Sequence, residues 1–278
     1  MISPSFESLD LAVHLAELDQ LELPAEPWAE FCAAVELSPL EQLSPEQRWA
    51  FLRSGLLCRE PRRFLQILRY SGALARLFPE LEALYGVPQL SDAAEAVDVG
   101  EHQERVLDET SKADAPLAVR FAALMHKLGK AGTPREIWPS HYRHEDRGHA
   151  ALQELAKRLR VPEEILNLTH LVIDECDRVH RASDMRAGAI TATIERVRAL
   201  EDPERFEQLL MVCTCDYAAY AGHTAAEYPK AERLRRAAAA CRSVSVEGLD
   251  EPTRLEARSV AVASALKSLV RPTVARDS

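Results

Sequence analysis

Side chains that could bind a metal ion or a phosphate stand one at a time on separate predicted helices in the middle of the chain. Helical bundles build metal sites by turning such single ligands inward from several helices. Imidazole and carboxylate groups suit a divalent transition metal or Mg²⁺, and a bound metal can activate water to attack a phosphate ester. The candidate residues, selected by their spacing, are His102, His126, His144, Cys176, Asp177 and Asp216.

The stretch FAALMHKLGK, at residues 121–130, places Lys127 directly after His126. A His-Asp doublet at this point would be typical of the end of a metal-binding helix. An aspartate would hold a metal with a negative oxygen, whereas a protonated lysine has no lone pair and repels a cation. Residue 127 therefore decides between two interpretations of the site.

The first interpretation keeps a metal and the second replaces it. In the first, His102, His126 and Asp216 bind a divalent metal, and Lys127 binds a substrate phosphate. In the second, the Lys127 ammonium fills the space of the metal and pairs with Asp216. A buried carboxylate without any partner would be costly, so either the metal or the ammonium must be present. The groups expected to assist in the first interpretation are Cys176 as a metal ligand, and His144 and Asp177 as catalytic groups beside Lys127.

The chain predicts an all-α helical bundle, because it has only 10 glycines and few runs of alternating apolar residues. Ser44, Pro45 and Gln47 form a capping-box sequence at the start of one helix. A linker is predicted over residues 87–100 and a frayed terminus over residues 270–278. The longer helices are predicted over residues 102–112, 116–127, 146–160, 162–176, 187–199, 204–221 and 229–241.

The composition favours a globular protein that works away from membranes. The 278 residues are 47% hydrophobic and 28% charged, which is ordinary for a globular protein. No apolar run approaches the length that crosses a bilayer. The six cysteines include no Cys-x-x-Cys pair, so neither a disulfide framework nor a zinc knuckle is indicated. We expect a cytoplasmic protein with no membrane partner.

The net charge of −10 is concentrated near the N-terminus, since residues 1–100 carry 16 acidic and 7 basic side chains. An acidic surface repels a polyanion, so a nucleic acid would approach only the C-terminal two-thirds of the chain. Two basic clusters lie there, and each also fits a merely solvated helix surface. The candidate RNA contacts in these clusters are Arg143, Arg147, Lys230, Arg233 and Arg236.

Six segments in order give the sequence a family resemblance. They are LSPEQRW, QILRYSGALARLFPELEALYGVP, VRFAALMHKLGK, TPREIWPSHYRHEDRGH, RLRVPEEI and AEYPKAERLR. Together they resemble the C-terminal part of bacterial CCA-adding enzymes, which are tRNA nucleotidyltransferases that carry an HD domain. The resemblance runs from about residue 43 to about residue 242.

The resemblance implies an HD-domain-like core. His102, His126-Lys127 and Asp216 are similar to the HD phosphohydrolase pattern His…His-Asp…Asp, with Lys127 at the place of the family's Asp. Cys176 stands where the family has His, and Asp177 is retained. The implied regions are an N-terminal helical region over 1–90, which from about residue 43 resembles the family's neck and body, an HD-like domain over 91–225 and a C-terminal helical tail over 226–278.

The resemblance also implies that the residues for nucleotidyl transfer are missing from this chain. That reaction uses a Gly-rich loop and an Asp-x-Asp or Glu-x-Asp pair on a strand. The sequence has no Gly-Gly and no Asp-x-Asp, and its Glu-x-Asp pairs are Glu17-Asp19, in a helical pattern, and Glu175-Asp177. We therefore expect no nucleotide addition by this chain alone.

Three functions remain open. The first is a stand-alone relative without the nucleotidyltransferase head that binds tRNA, another RNA or a nucleotide, or regulates, with little or no catalysis and no cofactor. The second is a phosphohydrolase, a nucleotidase or 2′,3′-cyclic phosphodiesterase, that uses Mg²⁺, Mn²⁺ or Ni²⁺. The third is a protein-interaction module whose N-terminal helices dock a partner or a second copy. In that case Leu11 and Leu15, on one stripe with Leu18, would be exposed.

Overall fold

The computed structural model describes residues 4–19, 22–91 and 96–267, and it confirms the all-α prediction. In those ranges the chain forms fourteen α-helices and one two-stranded ribbon. The helices are α1 (Pro4–Glu17), α2 (Ala25–Leu37), α3 (Pro45–Leu57), α4 (Pro61–Tyr70), α5 (Ala73–Leu77), α6 (Pro79–Glu82), α7 (Val99–Lys112), α8 (Leu117–Met125), α9 (His144–Arg158), α10 (Glu163–His180), α11 (Ala187–Arg196), α12 (Pro203–Ala218), α13 (Pro229–Arg242) and α14 (Glu251–Lys267).

Internal contacts divide the chain into two compact units. The first unit consists of Met1–Asp174 and Cys215–Thr224, so it holds α1 to α9, the part of α10 up to Asp174 and the last turn of α12. The second unit consists of Glu175–Thr214 and Ala225–Ser278, which include α11, α13 and α14.

The three regions predicted from the resemblance, 1–90, 91–225 and 226–278, rest on sequence similarity. They stay predictions, as does the HD-like character of the middle region.

In the first unit, α1 packs through a face that includes only one leucine of the predicted stripe. Leu9, Ala12 and Leu15 are buried, at helical spacing, whereas Leu11 and Leu18 are only partly buried against the same core. The helix contacts α2 and α4. Leu15 is 0% exposed, so it does not offer the apolar surface that the protein-interaction function would use.

The capping box at the start of α3 is confirmed. The backbone N–H of Gln47 donates to Ser44 Oγ at 3.2 Å, and the backbone N–H of Ser44 donates to Gln47 Oε1 at 2.9 Å. Pro45 takes the first helical position, where its missing N–H costs no hydrogen bond.

The segment predicted as a linker, residues 87–100, contains a short antiparallel ribbon. Strand β1 (Pro88–Gln89) pairs with strand β2 (Val97–Asp98), and residues 92–95 lie outside the described residues. Asp98 then caps α7 by accepting the backbone N–H of Glu101 at 2.9 Å. This cap starts α7 three residues earlier than the sequence predicts, and it fixes the helix that carries His102.

Several helix ends differ from the predicted ones by a few residues. Helix α8 ends at Met125, and a single 3-10 turn, Leu128–Lys130, follows it. Helix α10 continues to His180 instead of ending at residue 176, and α14 lies within the predicted C-terminal helical tail, where no separate helix bounds were predicted beyond residue 241. The predicted frayed terminus at residues 270–278 lies outside the described residues.

The turn after α8 packs directly on the start of α9. A Cβ at Gly129 would lie 1.8 Å from the His144 carbonyl oxygen and 2.4 Å from the Gly148 nitrogen. Both contacts are with backbone, so only a glycine fits here without moving one segment. This close approach fixes the turn that carries His126 and Lys127.

The second unit has its own core and its own buried ion pair. Helices α11 and α13 both pack against α14. Glu175 is 2% exposed and accepts two hydrogen bonds from Arg196, at 2.6 and 2.8 Å, and one from Arg178 at 2.9 Å. Charged partners therefore occupy one carboxylate of the Glu175-Asp177 pair. Of the helices that the structure describes, none is long and apolar enough to cross a membrane.

Candidate functional site

Asp216 is the centre of a buried polar cluster in the first unit. It lies on the last turn of α12, and its Oδ1 atom accepts hydrogen bonds from Lys127 Nζ at 2.5 Å and His102 Nε2 at 2.8 Å. His126 Nε2 lies 3.3 Å from the same oxygen. All four side chains belong to residues that are at most 3% exposed. The ion pair between Lys127 and Asp216, which the second interpretation predicts, is present.

The surroundings fix the charges of two of these groups. Burial alone would raise the pKa of Asp216, but the Lys127 charge and the contact with His102 hold that pKa well below its ordinary value. Burial, with a smaller effect of the Lys127 charge, lowers the pKa of His102 to about 3. At neutral pH, Asp216 is therefore a carboxylate and His102 is neutral.

A neutral His102 keeps its one ring proton on Nε2, because that nitrogen donates to Asp216. Its Nδ1 atom is then an acceptor, and within the described part of the chain no donor reaches it. His102 thus supports the Asp216 carboxylate, and the lone pair on Nε2 that a metal would need is absent in this tautomer.

His126 keeps the orientation that a metal-binding histidine has. Its Nδ1 atom donates to the Ala123 carbonyl at 2.8 Å, which directs Nε2 toward Asp216. A backbone carbonyl on the far ring nitrogen is the usual support of a metal-ligating histidine. His126 and Asp216 alone would therefore fit a metal site.

The whole cluster does not fit a divalent metal. The Lys127 ammonium lies 2.5 Å from the carboxylate oxygen that would be the ligand, so a metal at that oxygen would meet a positive charge. A metal would have to displace this ammonium inside a site that is almost inaccessible to water. Two adjacent cations without water between them repel strongly. The geometry favours the second interpretation.

Tyr220 completes the cluster, and the sequence reasoning missed it. Its ring centroid lies 4.2 Å from that of His102, and Lys127 Nζ lies 5.5 Å from it. An aromatic face at this distance attracts a cation. The signal in the sequence is the short spacing, since Tyr220 follows Asp216 by four residues and lies just beyond the end of α12 at Ala218.

Comparison with known proteins shows that the chain is similar to several multifunctional CCA proteins. The chain is 43% identical over 210 residues to a multifunctional CCA protein of Paraburkholderia phymatum, a match that covers 76% of this chain and 50% of the relative. The chain is a homologue of part of the multifunctional CCA proteins. A Burkholderia pseudomallei protein of that name is 41% identical over 244 residues, with 84% of this chain and 59% of the relative covered.

This chain thus spans about half the length of the multifunctional CCA proteins that it matches. A third, from Burkholderia cenocepacia, is 44% identical over 210 residues and is 51% covered. No protein-family model matches the chain.

His144, a predicted catalytic residue in this CCA-related chain, lies at the start of α9 and is 8% exposed. Its Nδ1 atom is 3.7 Å from Glu145 Oε2, and its backbone carbonyl faces Gly129. The structure therefore places the backbone of His144 against the turn that follows Lys127. Its catalytic role stays a prediction.

Cys176 and Asp177 belong to the second unit, near the end of α10. Cys176 Sγ is 3.3 Å from His180 Nε2 and 3.6 Å from Cys213 Sγ, whereas Asp177 is exposed. The Tyr228 hydroxyl in turn lies 2.8 Å from His180 Nδ1. The roles of Cys176 as a ligand and of Asp177 as a catalytic group stay predictions.

Arg143 and Arg147, two of the predicted RNA contacts, have different surroundings. Arg147 donates to the carbonyls of Gly129 and Tyr142, at 3.2 and 2.7 Å, so its guanidinium holds the backbone near the cluster. Arg143 is 66% exposed and pairs with Asp146. Arg143 is therefore the more accessible of the two to a phosphate.

The predicted contacts on α13 also differ. Arg233 is half-buried and donates to the Ala182 carbonyl at 3.1 Å. Arg236 is 45% exposed and pairs with Glu232 one turn away, and Lys230 lies over the Tyr228 ring at 5.6 Å. Arg236 is therefore more accessible than Arg233. RNA binding by Lys230, Arg233 and Arg236 stays a prediction.

Proposed function

We propose that this chain is a non-hydrolytic relative of the C-terminal part of CCA-adding enzymes, which binds RNA or a nucleotide and in which Lys127 replaces the metal of a phosphohydrolase site. The observation that carries this proposal is the 2.5 Å contact between Lys127 Nζ and Asp216 Oδ1 in a cluster at most 3% exposed. A fixed ammonium keeps the buried carboxylate paired, which is the structural requirement that a metal would otherwise meet.

The electrostatics of the cluster support this replacement. Lys127 and Asp216 balance each other, and the neutral His102 adds a hydrogen bond without adding a charge. A water molecule that attacks a phosphate ester would need an activating cation and access to the substrate. The Lys127 ammonium at Asp216 has no empty orbital for water, and it is buried.

The binding part of the proposal rests on kinship and on accessible charge. The relatives are named multifunctional CCA proteins, and the family resemblance implies tRNA as the partner. Arg143 and Arg236 are exposed and are held only by exposed ion pairs, which contribute little and exchange readily for phosphate contacts. Arg147 acts as a support, because backbone carbonyls occupy its guanidinium.

The test is tRNA binding measured over a range of salt concentrations, with hydrolysis assays on the same samples. We expect wild-type protein to bind tRNA in a salt-sensitive manner. Arg143→Ala and Arg236→Ala should each weaken binding and reduce the slope of log affinity against log salt by about one. Arg59→Ala, which removes an exposed arginine paired with Asp19 in the acidic N-terminal region, is the matched control and should change neither.

The assays should show no turnover of nucleotides or 2′,3′-cyclic phosphates in Mg²⁺, Mn²⁺ or Ni²⁺. Absence of tRNA binding at low salt would remove the binding function. If Arg143→Ala and Arg236→Ala gave the same salt slope as the control Arg59→Ala, Arg143 and Arg236 would not be the phosphate contacts.

The phosphohydrolase remains the second candidate, because His126 keeps the orientation of a metal ligand and Asp216 is retained. Turnover by wild-type protein that disappears in Asp216→Asn would establish it in place of our proposal. The protein-interaction function is not supported at Leu11 and Leu15, since Leu15 is buried and Leu11 is partly buried against the core.

A further inference from the structure

A second cluster of metal-binding side chains lies between α9 and α10 in the first unit. His149, on α9, stacks on His170, on α10, with ring centroids 4.9 Å apart and an interplanar angle of 28°. Their Nδ1 atoms face each other at 2.7 Å. Asp174, one turn after His170, lies with Oδ1 2.8 Å from His149 Nε2. None of these three residues takes part in the cluster at Asp216.

The hydrogen bonds determine the tautomer of His149. A carboxylate can only accept, so His149 Nε2 carries the proton and donates to Asp174. Nδ1 of the same ring then offers its lone pair to His170, whose Nδ1 lies 2.7 Å away. Burial, and to a smaller degree the neighbouring His149, hold the pKa of His170 below its ordinary value of 6.5.

Two imidazoles with facing Nδ1 atoms, one of them held by a carboxylate through its far nitrogen, are the elements of a transition-metal site. We propose that His149 Nδ1 and His170 Nδ1 bind one divalent transition-metal ion, with Asp174 as the positioning residue for His149. Imidazole ligands select Ni²⁺, Zn²⁺ or Cu²⁺, whereas Mg²⁺ prefers oxygen ligands.

The change needed to admit the ion is small. Two nitrogens that bind a metal at about 2.0–2.1 Å with tetrahedral angles are about 3.3 Å apart. The rings must therefore separate by a few tenths of an ångström from their 2.7 Å contact. The one proton between them moves from His170 Nδ1 to Nε2 of the same ring, which leaves both Nδ1 lone pairs for the ion. The His149 side chain is 28% exposed and that of Asp174 is 51% exposed, so an ion and its water ligands have access.

The site at His149 and the cluster at Asp216 differ in the groups that lie beside the candidate metal ligands. Lys127 places an ammonium on the Asp216 carboxylate, whereas the contacts of His149 are an imidazole and a carboxylate. The inference therefore does not depend on the proposed function, and separate variants test the two.

The experiment is calorimetric titration of the full chain with Ni²⁺, followed by thermal unfolding with and without the ion. We expect wild-type protein to bind one Ni²⁺ in a saturable manner and to show a higher Tm in its presence, because the ion binds the folded state. Asp174→Asn should weaken binding about tenfold, and His170→Gln should weaken it further and abolish the Tm shift. His14→Gln removes an exposed histidine on α1 and should bind as wild type does.

A separate measurement distinguishes positioning by Asp174 from a general structural effect. In the NMR spectrum of the imidazole nitrogens, Asp174→Asn should lower the fraction of His149 that is protonated on Nε2. The unfolding free energy of this variant should stay close to that of wild type. Unchanged Ni²⁺ affinity in His149→Gln and His170→Gln would overturn the proposal, since the ion would then bind elsewhere. Absence of saturable binding in wild type would overturn it as well.

Discussion

Lys127→Ala is expected to lower the free energy of unfolding by about 3–5 kcal/mol, the cost of leaving one partner of a buried ion pair alone. Lys127 and Asp216 are both at most 3% exposed and lie 2.5 Å apart. His102 remains to donate one hydrogen bond to the carboxylate, but its low pKa keeps it from replacing the lost charge at neutral pH. Urea unfolding of wild type and variant at pH 7 measures the effect.

Two further variants test whether the loss of stability in Lys127→Ala comes from the buried ion pair. Lys112→Ala removes a lysine that is 61% exposed and pairs with Asp108 and Glu109, and it should change stability by less than about 0.5 kcal/mol. Lys127→Met combined with Asp216→Asn removes both charges and should recover much of the loss. A Lys127→Ala variant as stable as wild type would show that the ammonium is not needed at Asp216.

The same pair sets the direction of the pH dependence. The pKa of Asp216 is lower in the folded protein than in the unfolded chain. Its contribution to stability is therefore fully present above the unfolded pKa of about 3.9, and it is lost as the pH falls through the folded value. The pair contributes constantly across the neutral range.

Gly129→Ala is expected to be the second most disruptive substitution, costing about 1–3 kcal/mol or more. The new Cβ would lie 1.8 Å from the His144 carbonyl oxygen and 2.4 Å from the Gly148 nitrogen, and neither backbone atom can turn aside as a side chain can. The turn that carries Lys127 would have to move away from α9. Thermal or urea unfolding of the purified variant measures the cost.

Gly132→Ala is the matched control, three residues away in the same connection. A Cβ there meets its nearest neighbour, Arg147 Cδ, at 3.4 Å, the far part of a flexible side chain. We expect a change within about 0.5 kcal/mol. Equal stability of Gly129→Ala and Gly132→Ala would mean that the contact between the turn and α9 is looser than the structure shows.

The helices could be predicted because apolar spacing, prolines and caps are local signals. The capping box at Ser44 and the stop of α2 before Pro39 depend on residues a few positions apart. The inward face of α1 could not be predicted, because Leu9 and Leu11 are equally apolar and only packing against other helices selects between them. The ribbon of β1 and β2 could not be predicted, because strands of two residues are too short to show an alternating apolar pattern.

The candidate site could be predicted only in part, because some of its contacts depend on how distant segments pack. Spacing and family resemblance brought together His102, His126, Lys127 and Asp216, and the structure places them around one carboxylate oxygen. Tyr220 was missed, because an aromatic residue in a helix is more often part of a core. The contacts of Arg147 with backbone carbonyls were also invisible, since they depend on the fold of residues 129–142.

The most direct test of the central claim, that Lys127 replaces a metal, is the metal content of wild type and Lys127→Asp, both purified without added ions. Both proteins should also carry His170→Gln, so that the proposed site at His149 does not contribute. We predict no stoichiometric divalent metal in the first protein. In the second, a carboxylate beside Asp216 and His126 should bind one ion and be stabilised by it. A stoichiometric metal in the protein that keeps Lys127, removed by Asp216→Asn, would contradict the claim.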